Sequence, residues 1–212
     1  ENPELKQNYK FSGIGYPNQN DKKDLASILH NIKELVLPGT CYGITVFQDY
    51  RFIIQLENSF ELFKLTSADN ERTTLPISLD MNGNGAQLSH IKFLKTVTVL
   101  ILNFEELILV YEKFAIVCDR FGNCIDGLIN FFNVKCTKAE IFDNYLIVFS
   151  NSIIEIYEIN SNFGREPPKQ IIYGHNINLV KDNSHSKRNI RFFANTSNDT
   201  VLYEFCLKNK KR

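Results

Sequence analysis

From Cys41 onward, aliphatic and aromatic positions come in short runs rich in Ile, Val, Phe and Tyr, broken by turns that carry Asn, Asp, Gly or Ser. That is the rhythm of strands. One segment upstream has a different period. In DKKDLASILHNIKELV, Leu25, Ile28, Leu29, Ile32, Leu35 and Val36 fall at i, i+3, i+4 spacing, with Asn20 or Asp21 as cap and Pro38-Gly39 as stop. This predicts a single N-terminal amphipathic helix, its apolar stripe packed on its own domain or, alternatively, docked on a partner.

Beyond Pro38 the strand reading continues to the end of the chain. Residues 41–65 predict strands meeting at a turn near Glu57-Asn58-Ser59, followed by a polar stretch at 66–74 and a strand at 75–79. Met81-Asn82-Gly83-Asn84-Gly85 is a strong turn signal. An apolar run over 89–104 leads into a hairpin at 106–119 that turns at Glu112-Lys113, and a second turn follows at Arg120–Asn123. Further strands are expected at 128–136, 141–149, 153–159, 170–173, 177–181, 190–194 and 200–207, with a loop at 160–169 carrying Gly164 and Pro167-Pro168.

Several of these hairpins resemble one another. VFQDYRFIIQLENSFELFKL (Val46–Leu65) and IFDNYLIVFSNSIIEIYEI (Ile141–Ile159) share Asp or Asn ahead of Tyr50 or Tyr145 and an Asn-Ser turn; a one-residue slip sets Phe60–Leu65 on Ile154–Ile159. Weaker copies lie at Glu106–Asp119 and Asn189–Leu207. A unit of this kind cannot bury both faces alone and must stack on its neighbours. Tyr50 and Tyr145 are about two blade lengths apart if a blade takes about 40–50 residues. The expected fold class is therefore all-β, a β-propeller, with a sandwich or closed barrel as the alternative. Trp is absent, so there is no Trp-Asp pair, and Gly-His occurs once, at Gly174-His175, rather than once per repeat; the repeat is not of the WD40 type.

Composition narrows the function classes. With 212 residues, 43% hydrophobic, and 24 Lys plus Arg against 24 Asp plus Glu, the chain can bury a core and has no basic excess of the sort nucleic-acid binders carry. Nucleic acid is not an expected partner. The five cysteines (Cys41, Cys118, Cys124, Cys136, Cys206) are odd in number and form no Cys-x-x-Cys pair, which predicts thiols in a reducing compartment rather than a disulfide framework or zinc knuckle. No apolar run approaches the roughly 20 residues of a membrane span, and the start lacks a signal-peptide core, so a soluble, cytoplasmic chain is expected.

Candidate chemistry is sparse. His30, His90, His175 and His185 share no metal-ligand spacing, and no nucleophile elbow or Walker loop is present. Gly13-Ile-Gly15 and Gly83-Asn-Gly85 read as turns, and Asn195 and Asn198 as turn residues rather than glycosylation acceptors. Glu61 and Glu155 occupy matching repeat positions and could be imagined as paired carboxylates; strand alternation predicts instead that both face solvent. No catalytic, cofactor-binding or metal-binding residue is assigned, and no cofactor is expected. The basic end, Lys208, Lys210, Lys211 and Arg212, offers at most a weak contact with anionic lipid.

The region Glu106–Val180 also carries a resemblance. ELILVYEKFAIVCDRFGN, AEIFDNYLIVFSNSIIEIYEI and KQIIYGHNINLV, in that order, are similar to the closing part of a citron homology (CNH) domain, through Tyr111, Phe114, Asp119, Gly122, Tyr145, Ile154, Glu155, Ile156, Gly174, Asn176 and Ile177. LSHIKFLK (Leu88–Lys95) is a weaker match. The resemblance implies a seven-bladed propeller, whereas this length provides about five blades at about 40 residues each. It divides the chain into an entry segment and helix (1–37), a CNH propeller (38–207) and a basic tail (208–212). It implies a non-catalytic regulatory module of a fungal Rho guanine-nucleotide exchange factor, acting in Rho signalling and cell-wall or cytoskeleton control, at the cell cortex. The expected partners are a Rho-family GTPase or neighbouring domains of the same protein. A Ste20-like kinase or a vacuolar tethering subunit is the alternative parent; a last strand close to the chain end favours the kinase or exchange-factor context over the tether.

Overall fold

A computed structural model describes residues 37–46, 51–65, 70–75, 94–160, 166–180 and 190–205. The predicted N-terminal helix, the Gly13 and Gly83 turns, all but Leu75 of the strand expected at 75–79, and the basic tail lie outside the described residues. Among those described, every regular element is a strand, and the strands form four antiparallel sheets. The chain divides into two compact units, Glu1–Leu75 and Pro76–Arg212.

The first unit contains one meander, β1 (Gly43–Val46), β2 (Arg51–Gln55), β3 (Phe60–Leu65) and β4 (Asn70–Leu75), paired in sequence order. The stretch at 70–74, expected as polar loop, is strand: Thr73 and Thr74 pair with Leu62 and Glu61 across the ladder. A β-branched threonine can pair at a sheet edge without an apolar neighbour in sequence. On one face Phe52 stacks on Phe63, centroids 5.2 Å apart, and Ile54 and Leu56 complete a buried cluster.

Among its described residues the second unit holds three sheets. β5 (Thr96–Ile101), β6 (Glu106–Tyr111), β7 (Phe114–Asp119) and β8 (Cys124–Asn130) form one; β9 (Lys138–Phe142), β10 (Tyr145–Phe149), β11 (Ile153–Glu158) and β12 (Gln170–Tyr173) form the next; β13 (His175–Val180), β14 (Arg191–Asn195) and β15 (Thr200–Glu204) form a three-stranded third. The strand expected over 141–149 is two strands. Asp143, at φ 53°, makes the turn between them, and Phe142 pairs with Tyr145 across a two-residue loop. An aspartate tolerates this left-handed conformation. The strand expected over 128–136 stops at Asn130, and 131–137 is the link to the next sheet.

The repeat reading holds at the level of register. Gln55 pairs with Phe60 in the first unit as Phe149 pairs with Ile154 in the second, which places Phe60–Leu65 on Ile154–Ile159. β10 shows why its sequence reads as an unbroken apolar run. Leu146 and Val148 pack with Ile108, Val110 and Val117 of the preceding sheet. Ile147 and Phe149 point the other way, against Ile177, Leu179 and Phe192 of the following one. A sheet buried on both faces needs apolar residues at every position, not at alternate ones.

A surface of pinned aromatic turns

At one end of the sheet β5–β8, two turns lie side by side. In the β5–β6 turn the Asn103 and Leu102 N–H groups donate to the Glu106 carbonyl at 3.2 and 3.1 Å. The Asn103 side chain accepts from Glu105 N–H at 2.8 Å and donates to the Glu106 carboxylate at 2.7 Å. In the β7–β8 turn, Asp119 Oδ1 accepts from Phe121 and Asn123 N–H, both at 2.8 Å, and Gly122 supplies φ 93° where the chain reverses. Only glycine takes that φ without strain. Arg120 ties the turns together: its N–H donates to the Glu105 carbonyl at 2.8 Å, and its guanidinium sits 4.9 Å from the Phe121 ring centroid.

These turns present Phe104, 76% exposed, and Phe121, 42% exposed. Exposed Ile101 and Ile125, at the adjoining ends of β5 and β8, widen the apolar area. Two rings held on hydrogen-bonded turns lose little entropy on binding, and aromatic groups beside an arginine are the usual anchors of protein interfaces. Nothing in the residue pattern marked this surface beyond the turn signals themselves; the juxtaposition of residues 104 and 121 is a product of strand pairing.

A second concavity, of about 870 Å³, opens between the sheets β9–β12 and β13–β15, with Ile172, Phe192 and Phe205 among its apolar walls and Tyr173 and Tyr203 toward solvent. His175 is exposed at its rim. Among the described residues no group of three or more His, Cys, Asp or Glu could hold a metal ion, and no helix is long and apolar enough to cross a membrane. The polar stretches expected at 66–74 and 160–169 are described only in part, and residues 181–189 lie outside the described residues.

Glu61 and Glu155 are not solvent-facing. Glu155 is fully buried and Glu61 is 3% exposed, on the faces that carry Val148 and Ile54 respectively. Their alternation was read correctly as to which neighbours they oppose, but both faces of these sheets are covered. Glu155 Oε1 accepts from Asn133 N–H at 2.7 Å, and Oε2 accepts from Phe132 N–H at 3.0 Å and from the Tyr157 hydroxyl at 2.6 Å. The carboxylate thus replaces the ladder partners that the 131–137 link lacks. Burial, and then the Glu155 hydrogen bond and charge, hold the Tyr157 phenol far above its usual range, with the Phe132 N–H pulling the other way. Glu61 does related work in the first unit: Arg72 Nε donates to it at 3.1 Å and Thr74 Oγ1 at 3.1 Å.

The other positions of the resemblance are equally architectural. Tyr111 is fully buried and stacks on Phe114 at 4.8 Å, and burial raises its phenol well above the usual range, with Cys118 adding to it. Gly174 N–H donates to the Ser152 carbonyl and Ile177 N–H to the Asn151 carbonyl, both at 2.9 Å, so the crossing into β13 is fastened to the β10–β11 turn. Asn176 takes φ 51° beside the irregularity at His175–Asn178, and a Cβ on Gly174 would stand 3.2 Å from Ile177 Cδ1.

A family model for the CNH domain matches residues 9–183. The chain belongs to the CNH family. Of the residues that carried the resemblance in sequence, Gly122, Glu155, Gly174 and Asn176 are the ones this geometry makes hardest to replace. No curated protein sequence matches this CNH chain. Among solved structures it is similar to the AfRom2 CNH domain, at 19% identity and a TM-score of 0.66, over 84% of this chain and 54% of that one. It is also similar to the Myceliophteria thermophila Cps50 (Swd1) β-propeller domain, at 14% identity and a TM-score of 0.53, over 81% of this chain and 59% of that one. The likeness is one of fold, and the chain spans little more than half the length of the structures it matches.

Proposed function

We propose that this CNH domain is a non-catalytic interaction module of a Rho-type guanine-nucleotide exchange factor, engaging a Rho-family GTPase or neighbouring domains of its own protein. The observation that carries the reading is the Phe104–Phe121 surface, a preorganised apolar patch at a sheet end, on a family scaffold whose matching residues serve the fold. Exchange itself belongs to a separate domain, and this one localises or restrains it. The fold similarity to the AfRom2 CNH domain supports the choice of parent over a kinase or a tether. A cytoplasmic site with recruitment to the cell cortex goes with this parent, and the basic tail adds weak lipid contact there.

Binding of the chain to a Rho-family GTPase and to the exchange domains, measured by calorimetry at up to tens of micromolar, tests the proposal. A Phe104→Ala, Phe121→Ala double variant is expected to weaken the interaction by about 30-fold or more, as loss of interface anchors does. Binding to neither class of partner, or equal binding by the double variant, would remove the reading.

A further inference from the structure

Cys118 closes β7 and Cys124 opens β8, and the two are register partners across the hairpin that carries Phe121. Both are thiols. Their place in the ladder can be fixed from the turn. Asp119 N–H donates to the Asn123 carbonyl at 2.8 Å and Gly122 N–H to the Asp119 carbonyl at 2.9 Å, so Asp119 and Asn123 form the hydrogen-bonded pair that closes the loop. Antiparallel pairs alternate, which makes Cys118 and Cys124 a non-hydrogen-bonded pair. Such pairs bring Cα atoms to about 4.5 Å, with side chains on one face and closest together. A disulfide needs Cα atoms about 4.4–6.8 Å apart. The register shifts between Ile116 and Cys118, so the ladder is irregular on that side, but Cys118 and Cys124 remain Cα partners of a kind whose spacing a disulfide can span. Consistent with this proximity, Cys118 is held well above the usual thiol range by burial first and then by the charges of Cys124 and Asp119.

We infer that Cys118 and Cys124 are an oxidative modification site, a dithiol that a peroxide converts to a cross-strand disulfide. Cys124, 8% exposed, is the sulfur an oxidant reaches; Cys118 is fully buried and resolves the product. In the first step the Cys124 sulfur attacks a peroxide oxygen, giving the sulfenic acid and releasing water when the peroxide is hydrogen peroxide. In the second the Cys118 sulfur displaces hydroxide from the sulfenic sulfur. The Cys124 thiol proton leaves in the first water and the hydroxide leaves with the Cys118 thiol proton as a second, so two electrons pass from the thiol pair to the peroxide. Burial of Cys118 makes the second step slow at neutral pH and faster as pH rises. The product is a covalent ring directly behind the turn that presents Arg120 and Phe121.

The test treats the full native chain with hydrogen peroxide and maps disulfides by mass spectrometry of proteolytic fragments. The expected result is a mass loss of two hydrogens, a Cys118–Cys124 linkage reversed by dithiothreitol, and a higher midpoint of thermal unfolding for the oxidised form. The Cys118→Ala variant should instead accumulate a dimedone-reactive Cys124. Because the mapping is done on the unmodified chain, a folding defect in the variant does not weaken it. Linkage to Cys41, Cys136 or Cys206, linkage only in denaturant, or no linkage would each overturn the inference.

Discussion

Glu155 is the residue whose environment differs most from what its neighbours in sequence suggest. In Ile-Ile-Glu-Ile-Tyr-Glu it alternates like a solvent-facing position, yet its side chain is enclosed and receives two backbone N–H groups and a phenol. Removing it leaves the Asn133 N–H and the Tyr157 hydroxyl without their acceptor, while Phe132 N–H keeps the Tyr157 oxygen at 3.1 Å. Glu155→Ala is expected to lower unfolding free energy by about 2–4 kcal/mol, since each buried unsatisfied donor costs about 1–3 kcal/mol. Glu155→Gln should cost about half as much, because the amide accepts one N–H but sets a donor against another. Glu158, half-exposed and paired with Lys169 at 3.3 Å, is the control: Glu158→Gln should stay within about 0.5 kcal/mol. Urea unfolding of the three variants separates these outcomes, and a Glu155→Ala midpoint equal to that of Glu158→Gln would contradict the clamp.

Between elements, the instructive place is the crossing from β12 to β13. A Cβ on Gly174 would crowd Ile177, whose Cδ1 and Cγ1 stand 3.2 Å from its position, and both residues are fastened to the turn of the preceding hairpin. Gly174→Ala is expected to destabilise by about 1–2 kcal/mol through overpacking. In the Gly174→Ala, Ile177→Ala double variant that clash disappears, so a double-mutant cycle should give a coupling of at least about 0.5 kcal/mol in the compensating direction. Additive costs would show that the contact carries no strain. The hairpins themselves were legible: the turns at Glu112-Lys113, Arg120–Asn123 and Asn58-Ser59 stand where their polar residues indicated. The Asp143-Asn144 turn was not, although it has the same two-residue length and apolar flanks as Glu112-Lys113; there a single strand was expected over 141–149. The Phe104–Phe121 surface escaped for another reason: its halves are 17 positions apart, and only the pairing of β6 with β7 sets them side by side.

At the scale of the whole molecule, buried thiols and phenols set an alkaline limit on stability. Burial lifts Cys136 from 9.0 to about 12, the hydrogen bonds of Lys138 and Phe149 opposing it. Cys118, Tyr111 and Tyr157 are raised in the same direction. For each group the folded value exceeds the unfolded one, so its contribution is intact below the unfolded pKa and is lost as pH rises through the folded one. Stability should hold at neutral pH and fall progressively between pH 9.0 and about 12, the window set by Cys136. Phenolate absorbance of Tyr111 and Tyr157 should then appear together with loss of the folded circular dichroism signal. Exposed tyrosines such as Tyr173 and Tyr203 are subtracted by comparison with a Tyr111→Phe, Tyr157→Phe variant, and phenolate of Tyr111 or Tyr157 in a still-folded chain would refute their burial. What the sequence determined by itself was local: the strand period, most turns, the repeat register from Gln55–Phe60 to Phe149–Ile154, and the ordered residues that mark a CNH domain. Which side chains are enclosed was decided by tertiary structure alone. Period-two alternation says only that Glu155 and Ile156 face opposite ways, and whether a face meets water depends on what stacks against it. For the same reason the glutamate clamp, the neighbouring thiols of Cys118 and Cys124 and the paired aromatic turns exist only once sheets form, because each joins residues that the chain keeps apart.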